Sequence, residues 1–305
     1  MRPVLLNLDG ALERQPRLGA TALAAGGRML CARDLGPPLR IWSRRAHLAE
    51  LRRRLAAALP KGTEPEVVFA GSGDFHHVTP ILVERALAGV SEPVTVVHFD
   101  NHPDWARFAP GSHCGSWVAA AARLNGVRQV VTLGITSDDV GPRKAREGDL
   151  SLLSEGRLAL FPWRTPDGGE AISLGGRAWP AIAALGEARF LDLLDATVST
   201  RAIYVTIDKD VLRPEQAITN WDQGAASLEF VEAALHRLLS GRTLVAADVV
   251  GDWSEPDYGR GPPAWLKRGE ALLDQPRRRP DAVCADTINE ATNLRLLQIF
   301  QEAAA

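Results

Sequence analysis

The sequence is poor in cysteine. Its 305 residues include three cysteines, Cys31, Cys114 and Cys284, which lie far apart and form no C-x-x-C pair. An odd number of dispersed cysteines provides neither a disulfide framework nor a thiolate zinc site. The sequence therefore indicates a protein of a reducing compartment, and we expect it in the cytoplasm.

Net charge and long hydrophobic runs are also lacking. The formal charge of −2 gives no electrostatic reason to expect nucleic acid or an anionic membrane as a partner. No run approaches the roughly 18 apolar residues that a membrane span needs. The apolar run near the N-terminus is too short for a signal peptide. We therefore expect a small molecule as the partner.

The sequence does contain short apolar runs that alternate with helical patterns. Continuous apolar strands between helices predict an α/β fold with a mostly parallel sheet covered on both faces. The predicted strands are Glu66–Ala70, Val94–Phe99, Gln129–Gly134, Arg157–Phe161, Ala202–Ile207 and Thr243–Val250. The predicted helices are Val78–Ala88, Ser116–Leu124, Ala181–Leu194, Leu228–Leu239 and Ala285–Ala303.

The segment 252–281 shows neither pattern and is rich in proline. It is too long for an ordinary connection between two elements. We predict an irregular insertion that serves as a lid, an oligomer contact or a flexible segment. No domain boundary is visible elsewhere, so residues 1–305 are expected to form a single domain.

Acidic and imidazole groups follow three of the predicted strands. These groups belong to the segments Gly71–His77, Asp100–Asp104 and Asp208–Asp210. Ligand sites in parallel sheets lie beyond the carboxyl ends of the strands, which is where these segments fall. Side chains two residues apart in an extended segment point the same way, so Asp100, His102 and Asp104 can converge on one point.

Such a cluster indicates a metal site. Crowded carboxylates at a strand end repel one another and lose hydration unless a cation lies between them. Oxygen-dominated ligand sets with some nitrogen suit Mn²⁺, and less well Zn²⁺ or Fe²⁺. Four carboxylates exceed what one divalent ion requires, so we predict two ions about 3.5–4 Å apart. A lone D-x-D is common as a turn or cap, and only the three clusters together favour a metal site.

The motifs resemble those of the ureohydrolase family, which includes arginase, agmatinase and formiminoglutamase. The family carries G-G-D-H, D-A-H-x-D and S-x-D-x-D in this order, and Gly71–His76, Asp100–Asp104 and Thr206–Asp210 occupy those places. The resemblance implies a three-layer arginase-like fold with about eight mostly parallel strands. It also implies a hydrolase of linear C–N bonds that uses two Mn²⁺ ions per chain, and a homo-oligomer.

The resemblance divides the ligands between the two ions. One ion would be held by His76, Asp100, Asp104 and Asp208, and the other by His102, Asp100, Asp208 and Asp210. Phe75 is inserted before the histidine, so His77 is an alternative to His76. We interpret His98, inside its strand, as a core histidine or one that supports the ligands.

The resemblance also implies a mechanism. The metal pair would lower the pKa of a shared water, and the resulting hydroxide would attack the trigonal carbon of a guanidino, amidino or formimino substrate. Asp104 would orient the hydroxide and pass its proton to the leaving amine. His113, in the flexible loop Gly111–Gly115, resembles the family's proton-shuttle histidine. The alternative is an exposed loop histidine without a role.

The residues expected around the substrate depart from the family. Gly251 stands in place of a glutamate that pairs with the guanidinium, and Asp252 is the expected replacement. Asp139 is expected to meet a substrate ammonium unless it caps a turn. Trp105 and Trp221 are expected to form a wall of the pocket, with core packing as the alternative for each. L-Arginine is not the expected substrate.

Two other functions compete with a binuclear hydrolase. One is a deacetylase-like amidohydrolase, which shares this fold type but uses one Zn²⁺ and does not need the first histidine cluster. The other is a metal-binding relative without turnover, suggested by the missing glutamate. Metal content and product release from guanidino compounds would separate the three.

Overall fold

A computed structural model describes residues 1–59, 64–277 and 279–303. Within these ranges, eight strands form one sheet in which all paired neighbours are parallel. The strands are β1 (Arg2–Asn7), β2 (Arg28–Cys31), β3 (Glu66–Phe69), β4 (Val94–Phe99), β5 (Val127–Ile135), β6 (Leu158–Pro162), β7 (Ala202–Asp208) and β8 (Thr243–Val250). Their order across the sheet is β2-β1-β3-β8-β7-β4-β5-β6. The predicted α/β architecture is confirmed.

Helices surround this sheet. They are α1 (Pro16–Ala24), α2 (Gly36–Leu39), α3 (Arg45–Ala58), α4 (Thr79–Leu87), α5 (Val118–Ala122), α6 (Ser151–Ser154), α7 (Ile182–Leu185), α8 (Glu187–Thr197), α9 (Leu228–Leu239), α10 (Pro262–Asp274) and α11 (Ala282–Glu302). The helix predicted over 181–194 is divided at Gly186, whose φ of +79° is left-handed. No helix in the described residues is long and apolar enough to cross a membrane.

The central strands explain why the sheet could be predicted. β4 and β7 are buried along their whole length, as expected for strands covered on both faces. The edge strand β2 is largely exposed and mixes Arg28 with apolar residues. It therefore has no buried-strand signature, and the sequence analysis missed it together with β1.

Two short antiparallel pairs lie outside the main sheet. Ala171–Leu174 pairs with Arg177–Pro180, and Trp42–Ser43 pairs with Ser112–His113. The second pair places Trp42 opposite His113. His113 therefore lies in a short strand and not in the flexible loop that the sequence suggested.

The predicted irregular insertion contains a helix, α10. Two prolines occupy its first positions, where a missing N–H costs nothing. Its inner face carries Ala264 and Lys267, both buried, whereas Trp265, Leu266, Leu272 and Leu273 are exposed. The apolar residues thus face outward, which is the reverse of an ordinary amphipathic helix, and the prolines of the segment favoured the prediction of irregular structure. The prediction of irregular structure is wrong for 262–274, and residue 278 of that insertion lies outside the described residues.

Candidate metal centre

The turn after β3 brings the first histidine to the strand ends. Residues Gly73–Val78 form a 3₁₀ helix in which the Ser72 hydroxyl accepts a hydrogen bond from the Asp74 backbone N–H. A Cβ at Gly73 would lie 2.5 Å from Asp208 Oδ2. Glycine at this position therefore allows the carboxylate of β7 to approach the turn closely.

The segments after β4 and β7 supply the remaining groups. Their side chains and His76 form the ligand cluster, whose members are His76, Asp100, His102, Asp104, Asp208 and Asp210. The structure brings all six together, with potential ligand atoms of His76, Asp100 and Asp104 within 4.8 Å of one another and those of Asp100, His102 and Asp210 equally close. Asp208 joins the first group, because its Oδ2 lies 3.6 Å from His76 Nδ1.

The ring of His76 is oriented by a chain of hydrogen bonds. Its Nε2 lies 2.9 Å from the Thr206 hydroxyl, which donates to Asp248 at 2.8 Å, so His76 is the donor to Thr206. The lone pair of Nδ1 then points toward carboxylates, 3.1 Å from Asp100 Oδ2 and 3.2 Å from Asp104 Oδ2. Nδ1 is buried and has no hydrogen-bond partner in the described residues. Nδ1 therefore needs either a proton or a cation between itself and the carboxylates.

His102 repeats this arrangement on the other side of Asp100. Its Nε2 lies 3.2 Å from Asp222 Oδ1, and its Nδ1 lies 3.0 Å from Asp210 Oδ2. Asp100 Oδ1 is 3.5 Å from the same Nδ1. Two imidazoles therefore approach Asp100 from different directions, which fits two neighbouring cation positions better than one.

Electrostatic strain in the cluster appears in its pKa values. Burial, together with the charge of Asp100, raises the pKa of Asp104 to about 6 and that of Asp208 to about 6. Burial and the neighbouring Asp100 and Asp208 also raise the pKa of Asp210 well above its usual value. Burial lowers the pKa of His76, but hydrogen bonding with Asp100 and Asp104 outweighs it and raises that pKa well above normal. The cluster holds more negative charge than its own side chains neutralise.

Of the two adjacent histidines, the structure places His76 in the cluster. Both ring nitrogens of His77 are buried and lack hydrogen-bond partners in the described residues. Burial lowers the pKa of His77 well below normal. The sequence favours His76 over His77 as the metal ligand, and His76 is the one that lies in the cluster.

His98 is closer to the cluster than the sequence analysis expected. Its Nε2 lies 2.8 Å from Asp100 Oδ2, and its Nδ1 lies 3.0 Å from the Thr132 hydroxyl. The spacing in the sequence could have indicated this contact, because residues 98 and 100 of an extended strand project to the same side. His98 thus fixes the orientation of Asp100.

A cavity of about 750 Å³ opens over the ligand cluster. Trp105, Trp221, Asp139 and His113 line this cavity. Trp221 also donates from its indole N–H to Asp74 at 2.9 Å. These residues therefore lie where a substrate could reach them.

Asp252 does not line the cavity. It is buried, it forms an ion pair with the ammonium of Lys209, and it accepts hydrogen bonds from Gln15 Nε2 at 3.0 Å and Asn293 Nδ2 at 3.1 Å. The prediction that Asp252 binds substrate is therefore wrong, because its oxygens already serve a buried network. Gly251 has a φ of +96°, and a Cβ there would lie 2.5 Å from Asp208 Oδ1. No glutamate fits at 251 in this backbone.

Acidic side chains surround the mouth of the cavity. Those that line it outside the ligand cluster are Asp138, Asp139, Glu147, Asp222 and Asp274. Among the described lining residues the fixed cation is Lys144, whose ammonium lies 2.7 Å from Asp138 and 3.3 Å from Asp139. The mouth therefore carries net negative charge.

The architecture is similar to that of several solved ureohydrolases. The arginase of Bacillus cereus is 14% identical, with a TM-score of 0.56 over 96% of this chain and 97% of that one. Proclavaminate amidino hydrolase of Streptomyces clavuligerus is 17% identical, with a TM-score of 0.54 over 99% and 92%. The agmatine ureohydrolase of Thermoplasma volcanium is 14% identical, with a TM-score of 0.52 over 95% and 90%. The chain has the arginase-like α/β fold that its motifs implied.

Sequence similarity to a curated protein covers a smaller part of the chain. An uncharacterized protein of Thermotoga maritima is 27% identical over 191 residues, which is 63% of this chain and 58% of that protein. The chain thus matches a little over half the length of this curated relative. No protein-family model matches the chain.

Proposed function

We propose that this protein is a ureohydrolase-type enzyme, a metal-dependent hydrolase of linear C–N bonds in guanidino, amidino or formimino compounds. The observation that carries the proposal is the pair of imidazole nitrogens, His76 Nδ1 and His102 Nδ1, that face buried carboxylates. The arginase-like fold supports it, since the cluster lies at the carboxyl ends of its strands.

The residues present fit a pair of divalent cations. His76, Asp100, Asp104 and Asp208 would hold one ion, and His102, Asp100, Asp208 and Asp210 the other. The orphaned Nδ1 of His76 and the excess of buried carboxylates are the structural reasons. An oxygen-rich set with one imidazole per ion favours Mn²⁺. When bound, the metal pair supplies Lewis acidity that ionises water near neutral pH.

The chain's own residues would orient the reactants and move the proton. Asp104 Oδ2 accepts a hydrogen bond from the Trp117 indole at 2.6 Å, which fixes its carboxylate beside the cavity. Asp104 can then take a proton from the attacking water. His113, which also lines the cavity, can receive that proton and return it to the leaving amine.

The acidic mouth favours a substrate with a cationic tail. Asp139 and Asp222 line the cavity together with Asp274, and each would attract an ammonium group. An α-carboxylate would meet repulsion at the same place. We therefore infer that a guanidino or amidino compound with an amine tail is preferred to L-arginine.

The test combines metal content with a substrate panel. Purified protein loaded with Mn²⁺ should contain two equivalents and release urea or ammonia from agmatine-like amines faster than from arginine or guanidino acids. A single tightly bound Zn²⁺ with release of acetate from acetylated amines would favour the deacetylase-like alternative. Two bound metals without turnover on the whole panel would favour the non-catalytic one.

A further inference from the structure

Both ring nitrogens of His113 are engaged by hydrogen bonds. Nε2 lies 2.5 Å from Oε1 of Glu270 on α10. Nδ1 lies 2.8 Å from the backbone nitrogen of Gly115, which donates to it. A carboxylate accepts and an amide N–H donates, so the neutral ring must carry its proton on Nε2 and its lone pair on Nδ1.

That lone pair accepts from the Gly115 N–H, and Gly115 lies between His113 and the ligand cluster. A Cβ built on Gly115 would lie 3.3 Å from His113 Nδ1 and 3.8 Å from Asp104 Oδ1. The absent side chain thus marks a gap with the imidazole on one side and the predicted proton donor on the other. Only the Nε2–H form of the ring presents an acceptor to this gap.

The helix that carries Glu270 is anchored to the strand that carries His113. Lys267, one turn before Glu270, donates to the carbonyls of Pro37 and Pro38, each at 3.0 Å. Its ammonium also lies 4.7 Å from the centre of the Trp42 ring. Trp42 pairs with His113 in the short antiparallel sheet. The carboxylate and the imidazole are therefore held on one common support.

We propose that Glu270 is the positioning residue for His113. It holds the ring through the Nε2–H bond, so that Nδ1 stays in place to take the proton that Asp104 releases. As Nδ1 takes the proton, the Gly115 N–H bond yields, and the bond from Nε2 to Glu270 becomes charge-assisted. The same proton then leaves Nδ1 for the departing amine, so proton count and charge balance. The assignment rests on the proposed hydrolase function, and it gives the predicted insertion a role in the chemistry.

Three variants separate this role from a merely structural one. Glu270→Ala removes the acceptor, Glu270→Gln keeps a side-chain oxygen in the same place, and Leu266→Ala alters an exposed residue of the same helix. Nitrogen-15 NMR of the His113 ring reports the tautomer without any need for turnover. We expect all three variants to keep Nε2–H, because the Gly115 N–H still donates to Nδ1 in each of them. We expect the alanine variant alone to lose the low-field Nε2–H proton signal of the hydrogen bond to residue 270.

Kinetics on the best substrate of the panel give the second readout. We expect kcat of the alanine variant to fall about 10- to 100-fold with KM within about twofold, which is the scale typical of residues that orient a functional side chain. The glutamine variant should recover at least about tenfold over alanine. An unchanged Nε2–H signal and kcat in Glu270→Ala would overturn the assignment, as would equal losses in Glu270→Ala and Leu266→Ala. If wild-type protein is inactive, the NMR result still decides the role of Glu270, so that failure belongs to the proposed function.

Discussion

Asp208 and Asp252 lie at the ends of neighbouring strands, β7 and β8, and both are buried, but their surroundings differ in charge. Asp208 stands among other carboxylates, and no lysine or arginine in the described residues forms an ion pair with it. Asp252 is paired with Lys209, the residue between Asp208 and Asp210. Two aspartates that look alike in the sequence therefore differ in whether they need a bound cation.

This difference shows how a metal ligand can be told from a structural acid. The Lys209–Asp252 pair is complete, because Gln15 and Asn293 also donate to the carboxylate. A buried carboxylate that is neutralised by protein groups needs no ion. The ligand cluster has four carboxylates and only two histidines to neutralise them, so divalent cations are the expected neutralisers of the remaining charge.

The largest expected effect is loss of function in Asp208→Asn. The substitution keeps the Oδ1 that accepts from the Asp210 N–H but removes one negative charge shared by both predicted ions. Bound Mn²⁺ should fall below two equivalents, and kcat/KM should fall about 1,000-fold or more. Stability of the metal-free protein should not fall, since repulsion is relieved. Elemental analysis and thermal denaturation with and without chelator measure these effects, and wild-type metal content in the variant would contradict them.

Asp252→Asn should damage stability instead of metal binding. It leaves the buried ammonium of Lys209 without its counter-ion, which costs about 3–5 kcal/mol. Chemical denaturation of the metal-free protein measures the loss, and bound Mn²⁺ should stay at the wild-type level. The double variant Lys209→Met with Asp252→Leu is the control, because it removes both charges and should recover much of the stability. A loss of metal with normal stability would show that Asp252 belongs to the site.

Gly251→Ala tests whether backbone geometry excludes a side chain between these two acids. At φ +96° an added Cβ would lie 2.5 Å from Asp208 Oδ1 and 2.6 Å from the backbone nitrogen of Lys209. We expect a loss of about 2 kcal/mol in the free energy of unfolding, with weaker Mn²⁺ binding. Gly241→Ala is the matched control, since nothing lies within 4 Å of its added Cβ. Equal behaviour of the two alanine variants would argue against close packing at 251.

The smallest effect concerns pH. In the metal-free protein the pKa values of Asp104 and Asp208 are raised to about 6, and a metal ion must displace those protons. Mn²⁺ affinity should therefore weaken by about threefold between pH 7 and pH 6. These raised values also mean that the two groups destabilise the metal-free fold as pH rises through 6. Calorimetric titration at several pH values measures the affinity, and an affinity independent of pH would exclude displacement of these protons.

The sequence predicted where the candidate ligands lie because they directly follow buried strands, and parallel strands end at one edge of the sheet. The expected extended geometry of Asp100–Asp104 is wrong, since β4 ends at Phe99, residues 101 and 102 form a bend, and Asp104 has a left-handed φ of +47°. The prediction for Asp252 was wrong because the ion-pair partner of this residue depends on the fold. Lys209 lies 43 residues earlier in the chain, and no local pattern links the two.

Six of the eight strands, their parallel arrangement and the acidic groups at their ends follow from the sequence alone, because burial and alternation are properties of consecutive residues. Which acids are already neutralised and which need a cation depends on the packing of distant segments. The same packing places Glu270 of α10 against His113, 157 positions away in the chain. No local pattern could predict that contact, because the polar residues Lys267 and Glu270 of α10 face the protein while several of its apolar residues face outward.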